Sequence, residues 1–192
     1  MSIGYAVEGS SDRALLEGLR RRWCPEARLI KGTFRGQTRE SLRREIPKIC
    51  LELDHKGAEA IVFLTDANNQ DWKAVKKRES DLVPLDFQHV TLYGVAERNV
   101  ECWLSADRDY LARKLGLSRE SLDKPDPKGD IESALGITRD DKKGEEIAAI
   151  VQNAPLGNWL DRSPSFATFY EDAVRLGKQM EHPLPNEREK AR

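Results

Sequence analysis

The feature that most constrains the fold is an unbroken apolar run that ends in an acidic residue, AIVFLTD (60–66). Such runs are typical of strands covered on both faces, as in parallel sheets. Three further runs, IGYAV (3–7), ARLIKG (27–32) and HVTLYGV (89–95), predict three more strands. Segments with helical spacing lie between and after them. The alternation of strand and helix predicts an α/β fold with a mostly parallel sheet of about four strands and helices on both faces.

Strand patterns stop after residue 117, and the rest of the chain is helical or loop-like. Helices are predicted at 11–23, 38–57 and 70–82, and the segment 99–117 is predicted to be one helix or two short ones. We expect an α/β domain over 1–117, a helical C-terminal extension over 118–180 packed on the same core, and a flexible tail over 181–192. The strands thus locate any functional edge in the first domain.

The charge balance argues against a uniformly basic nucleic-acid-binding surface. The 192 residues include 32 Lys and Arg against 33 Asp and Glu. A polyanion partner therefore requires basic residues that cluster on one face. The three cysteines and three histidines are scattered, without a C-x-x-C pair, which disfavours a zinc site or a disulfide framework. Any metal ion would be bound by oxygen ligands.

Neither a signal peptide nor a membrane span is expected. The first residues, MSIGYAVEGSSD, lack a basic segment and a long apolar segment. No apolar stretch approaches the roughly 20 residues that a bilayer requires. The sequence therefore predicts a cytoplasmic protein without a membrane partner.

Acidic residues follow two of the predicted strands. Glu8 ends the first, with Asp12 opening the next helix, and Asp66 ends the third, followed by Asn68 and Asp71. Because parallel strands end at a common edge, Glu8 and Asp66 meet if their strands are neighbours. Oxygen ligands of this kind select Mg²⁺, Mn²⁺ or Ca²⁺. The alternative is that Asp12 and Asp66 only cap helices or turns, whereas Glu8 has no evident structural duty.

Basic residues are predicted near the same edge. The loop KGTFRGQTR (31–39) contains Lys31, Arg35 and Arg39 with two glycines and could cradle phosphate, or it is an ordinary flexible loop. Arg98 follows the fourth strand, and Lys128 lies in a proline-rich loop that could fold over the edge. Each of these cations is a candidate substrate-binding residue or a plain surface charge.

The acidic residues resemble the motif of the TOPRIM family, which is shared by topoisomerases, bacterial primases, OLD-type nucleases and small RNA-processing nucleases. Its signature is a strand ending in Glu-Gly with a later Asp, matched by VEGSSD (7–12), then D-x-D after another strand, matched by DAN (66–68). The resemblance covers residues 1–105 and implies a Rossmann-like fold, a catalytic Glu8, and Mg²⁺ or Mn²⁺ at Asp66 and Asn68. The second Asp of the motif is replaced by Asn68, which predicts weaker metal binding unless Asp12, Asp71 or Glu101 compensates.

Later segments resemble a group of small stand-alone TOPRIM-like bacterial proteins. The matching stretches are ERNVECWLSAD (97–107), KPDPKGDIESALG (124–136) and SPSFATFYEDAV (163–174). The resemblance implies a role in phage defence beside an ATPase, and an E-x-W motif at Glu101. Val100, Trp103 and Leu104 form an apolar helix face, which turns Glu101 away from the core and toward the acidic edge.

Three functions remain open on the sequence. The leading hypothesis is a Mg²⁺-dependent phosphodiesterase that acts on DNA or RNA, with Glu8 as general base or as donor to the leaving oxygen. The alternative is a catalytically weakened module that regulates or assembles with an ATPase. A nucleotide-binding protein is disfavoured, because the chain lacks a P-loop and a G-x-G-x-x-G motif.

Overall fold

The structure is a computed structural model that describes residues 1–35, 38–123, 126–135 and 140–190, with side chains throughout these ranges except at 140–143 and 190. The strands are β1 (Ser2–Val7), β2 (Arg28–Lys31), β3 (Ala60–Asp66) and β4 (Thr91–Ala96). The helices are α1 (Ser10–Trp23), α2 (Arg39–His55), α3 (Trp72–Ser80), α4 (Leu85–Gln88), α5 (Val100–Leu104), α6 (Arg108–Leu115), α7 (Arg119–Leu122), α8 (Lys128–Ala134), α9 (Asp140–Asn153), α10 (Leu156–Arg162), α11 (Pro164–Gln179) and α12 (Glu187–Lys190). Of the helices described, none combines the length and apolar character needed to cross a membrane.

The four strands form one parallel sheet in the order β2-β1-β3-β4, which confirms the predicted α/β class. β1 and β3 are direct neighbours, with Val7 paired to Leu64. Asp66 is paired to Ala96 at the end of β4. The carboxyl ends of β1, β3 and β4 therefore meet at one edge of the sheet.

Helices cover both faces of the sheet, and each face has its own apolar core. On one face, Leu42, Ile46 and Ile49 of α2 are buried against β1 and β3. On the other, α1 packs together with α5 and with the C-terminal helices, whose buried side chains include Trp159 and Phe166. This double covering accounts for the unbroken apolar run of β3.

The C-terminal helices pack on the sheet through close backbone approaches. A Cβ atom at Gly94 of β4 would lie 2.7 Å from Cδ2 of Phe169 in α11. A Cβ atom at Gly18 of α1 would lie 2.6 Å from the carbonyl oxygen of Ala148 in α9. Residues after 117 thus share a core with the α/β domain.

Part of the segment predicted as a flexible tail, 181–192, contacts the body of the protein, and residues 191–192 lie outside the described residues. Glu187 is fully buried and accepts hydrogen bonds from Arg22 Nε at 2.7 Å and Trp23 Nε1 at 2.9 Å. Its backbone N–H donates to the Tyr170 hydroxyl at 3.1 Å. The segment is held because a buried carboxylate needs its paired cation, an interaction that the local sequence does not reveal.

The segment 99–117, predicted to be one helix or two short ones, forms the two helices α5 and α6. Asn99 caps α5 by accepting the Cys102 N–H at 3.2 Å, and Asp107 caps α6 by accepting the Tyr110 N–H at 3.0 Å. A second cap inside the apolar pattern restarts the helix in a new direction. The short helix α5 consequently lies directly at the carboxyl edge of β4.

Candidate functional site

Glu8 and Asp66 lie together at the carboxyl edge of the sheet. Glu8 follows the last residue of β1, and Asp66 is the last residue of β3. The Asp66 backbone N–H donates to Glu8 Oε1 at 3.4 Å. The strand neighbourhood that the sequence argument required is therefore present.

Asp12 combines a capping role with a place beside these carboxylates. It is the third residue of α1, it is 4% exposed, and its Oδ2 accepts the Gly9 N–H at 2.7 Å. Glycine has no side chain, so this reach back from Asp12 is the side-chain contact that caps the start of α1. The charge of Asp12 also raises the pKa of both Glu8 and Asp66.

Glu101 completes a group of four acidic side chains, the carboxylate cluster (Glu8, Asp12, Asp66 and Glu101). It is the second residue of α5 and is only 1% exposed, although the apolar face of that helix is formed by other residues. Among the described residues, neither its Oε1 nor the Oδ1 of Asp66 has a hydrogen-bond partner, although both atoms are buried. Buried acceptors without partners are costly, and these two oxygens could accept a cation or a donor.

Burial and mutual repulsion raise the proton affinity of the carboxylate cluster. Burial, then the charge of Asp12, raises the pKa of Glu8 to about 7. Burial, then the charges of Asp12, Glu8 and Glu101, raises the pKa of Asp66 to about 8. For Asp12, burial raises the pKa to about 6 against the opposing hydrogen bond from Gly9. Near neutral pH the cluster therefore exchanges protons readily.

Lys128 brings a positive charge to the carboxylate cluster. It is the first residue of α8, and the Glu101 carboxylate is the largest influence that raises the pKa of its ammonium group. In return, its charge lowers the pKa of Asp12 and Asp66. The first residue of α8 thus lies near the acidic edge, as one reading of the sequence required for Lys128.

The carboxylate cluster fits a divalent metal through the type of its donor atoms and not through a preformed geometry. Within the described ranges, no three or more His, Cys, Asp or Glu side chains are already arranged as a metal site. The donors are nevertheless the oxygen type that Mg²⁺ prefers. The unpartnered oxygens of Asp66 and Glu101 are free to accept such an ion.

Asn68 and Asp71 lie outside the carboxylate cluster's hydrogen-bond contacts. Asn68 is exposed, has a left-handed backbone with φ of 54°, and donates its N–H to the Arg98 carbonyl at 2.9 Å. Asparagine tolerates this conformation better than most residues. Asp71 is exposed and caps α3 by accepting the Lys73 N–H at 3.1 Å. Both residues thus have a local structural reason beside any role with a metal.

The predicted cations are spread around the edge. Lys31 is exposed at the end of β2 and lines a groove that contains Glu8. Arg98 follows β4 and pairs with Asp126 at 3.3 Å. Arg35 is exposed on the loop after β2. Lys31 and Lys128 are therefore the two predicted cations that the structure brings close to the carboxylates.

The sequence argument missed the ion pair between Arg39 and Glu79, whose charges both act on Glu8. Glu79 of α3 is fully buried and accepts from Arg39 Nε at 2.8 Å and from the Tyr93 hydroxyl at 2.9 Å. The Arg39 charge in turn lowers the pKa of Glu8. The partners are far apart in sequence, so no local pattern could have identified them.

It also missed Arg13 and Phe34, which line the same groove as Glu8 and Lys31. One sequence signal was available for Arg13. It lies one helical turn after Gly9, in the first turn of α1, and that turn begins at the carboxyl edge of the sheet. Phe34 carried no such signal, because its loop has no periodicity.

Comparisons of this chain with models of protein families, with curated proteins and with solved structures found no match.

Proposed function

We propose that the chain is a TOPRIM-type, Mg²⁺-dependent phosphodiesterase that acts on nucleic acid. The observation that carries the proposal is the carboxylate cluster at the carboxyl edge of a parallel sheet, with two buried oxygens that have no partner. Ligands of open α/β sheets bind at this edge. The oxygen chemistry of the cluster favours a hard divalent cation.

Asp66, Asp12, Glu101 and the amide oxygen of Asn68 are the residues that would hold the ion. When bound, Mg²⁺ would supply an activated water and offset the charge that develops on the phosphate. The positive ion would also lower the pKa of the surrounding carboxyl groups and keep them ionised.

Glu8 is the proton-transfer residue in this proposal. A pKa of about 7 suits a general base that accepts a proton from the attacking water, or an acid that donates to the leaving oxygen. Lys31 and Lys128 would bind phosphate oxygens, with Arg35 and Arg98 contacting flanking phosphates. Such contacts make binding sensitive to salt.

The decisive experiment incubates the purified chain with labelled single-stranded and duplex DNA and RNA, in Mg²⁺, in Mn²⁺ and in EDTA. We expect metal-dependent cleavage that falls by about 10²-fold or more in Glu8→Gln, the range typical of general acid–base catalysis. Asp54→Asn is the matched control, because Asp54 is an exposed acid on α2. Unaltered cleavage by Glu8→Gln, or no cleavage by the native chain in either metal, contradicts the proposal.

A second candidate is a non-catalytic module that regulates or assembles with an ATPase. The observation that favours it is Lys128, whose ammonium group already offsets part of the negative charge at Glu101, Asp66 and Asp12. Asn68 also leaves the motif one charge short. Calorimetry separates the two candidates: micromolar metal binding that Asp66→Ala abolishes supports the enzyme, and no binding at millimolar metal supports the module.

A further inference from the structure

A groove of about 490 Å³ opens beside Glu8, on the side of the sheet edge formed by β1 and β2. Its walls include Ser10 and Arg13 of α1, and Lys31 and Phe34 of the segment after β2. The groove thus joins a residue of the carboxylate cluster to basic and aromatic side chains.

The two cations of this groove differ in their pairing from the other basic residues of α1. Arg13 and Lys31 are both exposed, and neither forms an ion pair within the part of the chain that the structure describes. The basic run at the other end of α1 behaves differently, since Arg20, Arg21 and Arg22 all pair with glutamates. Among the described residues, these two cations of the groove lining have no ion-pair partner and are available for an anion.

Phe34, the aromatic residue that lines the groove, is held in place by its packing. Phe34 is half-buried and packs against the core between α2 and the sheet. The preceding residue, Thr33, is held by Glu52, which accepts from its N–H at 3.0 Å and from its hydroxyl at 2.7 Å. A fixed ring beside two cations can stack a base while the cations bind the backbone phosphates.

A second cleft, of about 690 Å³, shares Ser10, Arg13 and Lys31 with the groove. It extends along α1 to Arg21, which there pairs with Glu17 and Glu145. The path therefore leads from Glu8 away from the edge between α1 and β2. A path of this kind suits an extended strand.

We infer that this groove, defined by Glu8, Ser10, Arg13, Lys31 and Phe34, binds single-stranded nucleic acid, with Arg13 and Lys31 on the phosphates and Phe34 stacked on a base. The inference deepens the proposed phosphodiesterase function and rests on it for the direction of the strand toward Glu8. The binding itself needs no metal and no cleavage, so it can be tested separately.

The test is fluorescence anisotropy with labelled oligothymidylate and oligouridylate of about twelve nucleotides, which is within the usual site size. Binding is measured in EDTA at several salt concentrations. A duplex of the same length and a mononucleotide are the competitors.

The variants separate charge from stacking. Arg13→Gln and Lys31→Gln should each weaken binding and reduce the slope of log affinity against log salt by about 0.7, the value for one phosphate contact on a single strand. Phe34→Leu should weaken binding about tenfold with the slope unchanged, because it removes a stacking surface and no charge. Arg28→Gln is the matched control: Arg28 is exposed and lies at the opposite end of β2.

Four results would overturn the inference: no oligonucleotide binding by the native chain, tighter binding of the duplex, equal competition by the mononucleotide, or an Arg28→Gln effect equal to that of Arg13→Gln. If the native chain cleaves nucleic acid and the groove variants bind oligonucleotides normally, the groove inference is rejected and the proposed function is retained. If the groove variants lose oligonucleotide binding and the native chain cleaves nothing in any metal, the proposed function is rejected and the groove inference is retained.

Discussion

Asn68 shows how backbone conformation and chemistry act on a single residue. Its φ of 54° lies in the left-handed region, where asparagine and aspartate are both enriched among non-glycine residues. An aspartate can therefore replace it without a change of backbone. The position can be used to test the charge that the TOPRIM resemblance expects there.

We predict that Asn68→Asp strengthens Mg²⁺ binding by about tenfold, or ~1.4 kcal/mol, because a full negative charge replaces an amide beside Asp66. Isothermal titration calorimetry at low salt measures the gain. Asn69→Asp, which adds the same charge at the next exposed position, is the control. Equal affinities in the native chain and Asn68→Asp would place residue 68 away from the ion.

Glu101 separates a helix-capping role from a ligand role. Glu101→Gln keeps the shape and removes the charge. If Glu101 is a ligand, Mg²⁺ affinity falls at least tenfold, about 1.4 kcal/mol, while the metal-free protein stays as stable or becomes more stable, because repulsion with Asp12 and Asp66 is relieved. If it only complements the helix dipole, stability falls by about 0.3–1 kcal/mol and metal affinity is unchanged.

Calorimetry and urea unfolding of Glu101→Gln distinguish these outcomes. Glu120→Gln is the matched control, since Glu120 is an exposed acid in the first turn of α7. A stability loss equal to that of Glu120→Gln, with native metal binding, would remove Glu101 from the site.

At the scale of elements, α1 serves two purposes. Its first turn carries Asp12 of the carboxylate cluster, and its last turn carries the three arginines that pair with glutamates. One of these pairs, Arg22 with Glu187, ties α12 to the body of the protein. The same helix thus connects the candidate site to the C-terminal segment.

We predict that Glu187→Gln destabilises the protein by about 3–5 kcal/mol, because it leaves the Arg22 charge without its buried partner. Urea unfolding followed by tryptophan fluorescence measures the loss, since Trp23 also donates to Glu187. Glu189→Gln, an exposed change two residues away, should have little effect. A native midpoint in Glu187→Gln would mean that the tail contributes no stability.

At the scale of the whole molecule, the carboxylate cluster links folding to pH. Glu8, Asp12 and Asp66 all have raised pKa values in the folded protein, so the folded chain binds these protons more tightly than the unfolded chain. Their contribution to stability is full below the ordinary carboxyl pKa and is lost as the pH rises through about 6 to about 8. A bound divalent cation would oppose this loss.

We therefore predict that the free energy of unfolding in EDTA falls between about pH 5 and pH 8. The expected fall is on the order of a few kcal/mol. Urea unfolding across this range measures it, and Mg²⁺ should reduce the fall. The double variant Glu8→Gln and Asp66→Asn should show a flatter profile, since amides do not titrate. A double variant with the native pH profile would show that other groups carry the dependence.

The sequence by itself determined the strands and their parallel arrangement, because unbroken apolar runs and helical spacing are local patterns. It also placed Glu8, Asp66, Asp12 and Glu101 next to strand ends. Glu8 and Asp66 meet only because β1 and β3 are neighbours, and the tertiary structure alone decided that strand order. Only the tertiary structure decided that Glu101 is buried, that Lys128 faces it, and that Arg13 and Phe34 share a groove with Glu8. It alone also gave the buried pairs Arg39–Glu79 and Arg22–Glu187. These features join residues distant in the chain, and their energies come from burial and charge that exist only once the helices have packed on the sheet.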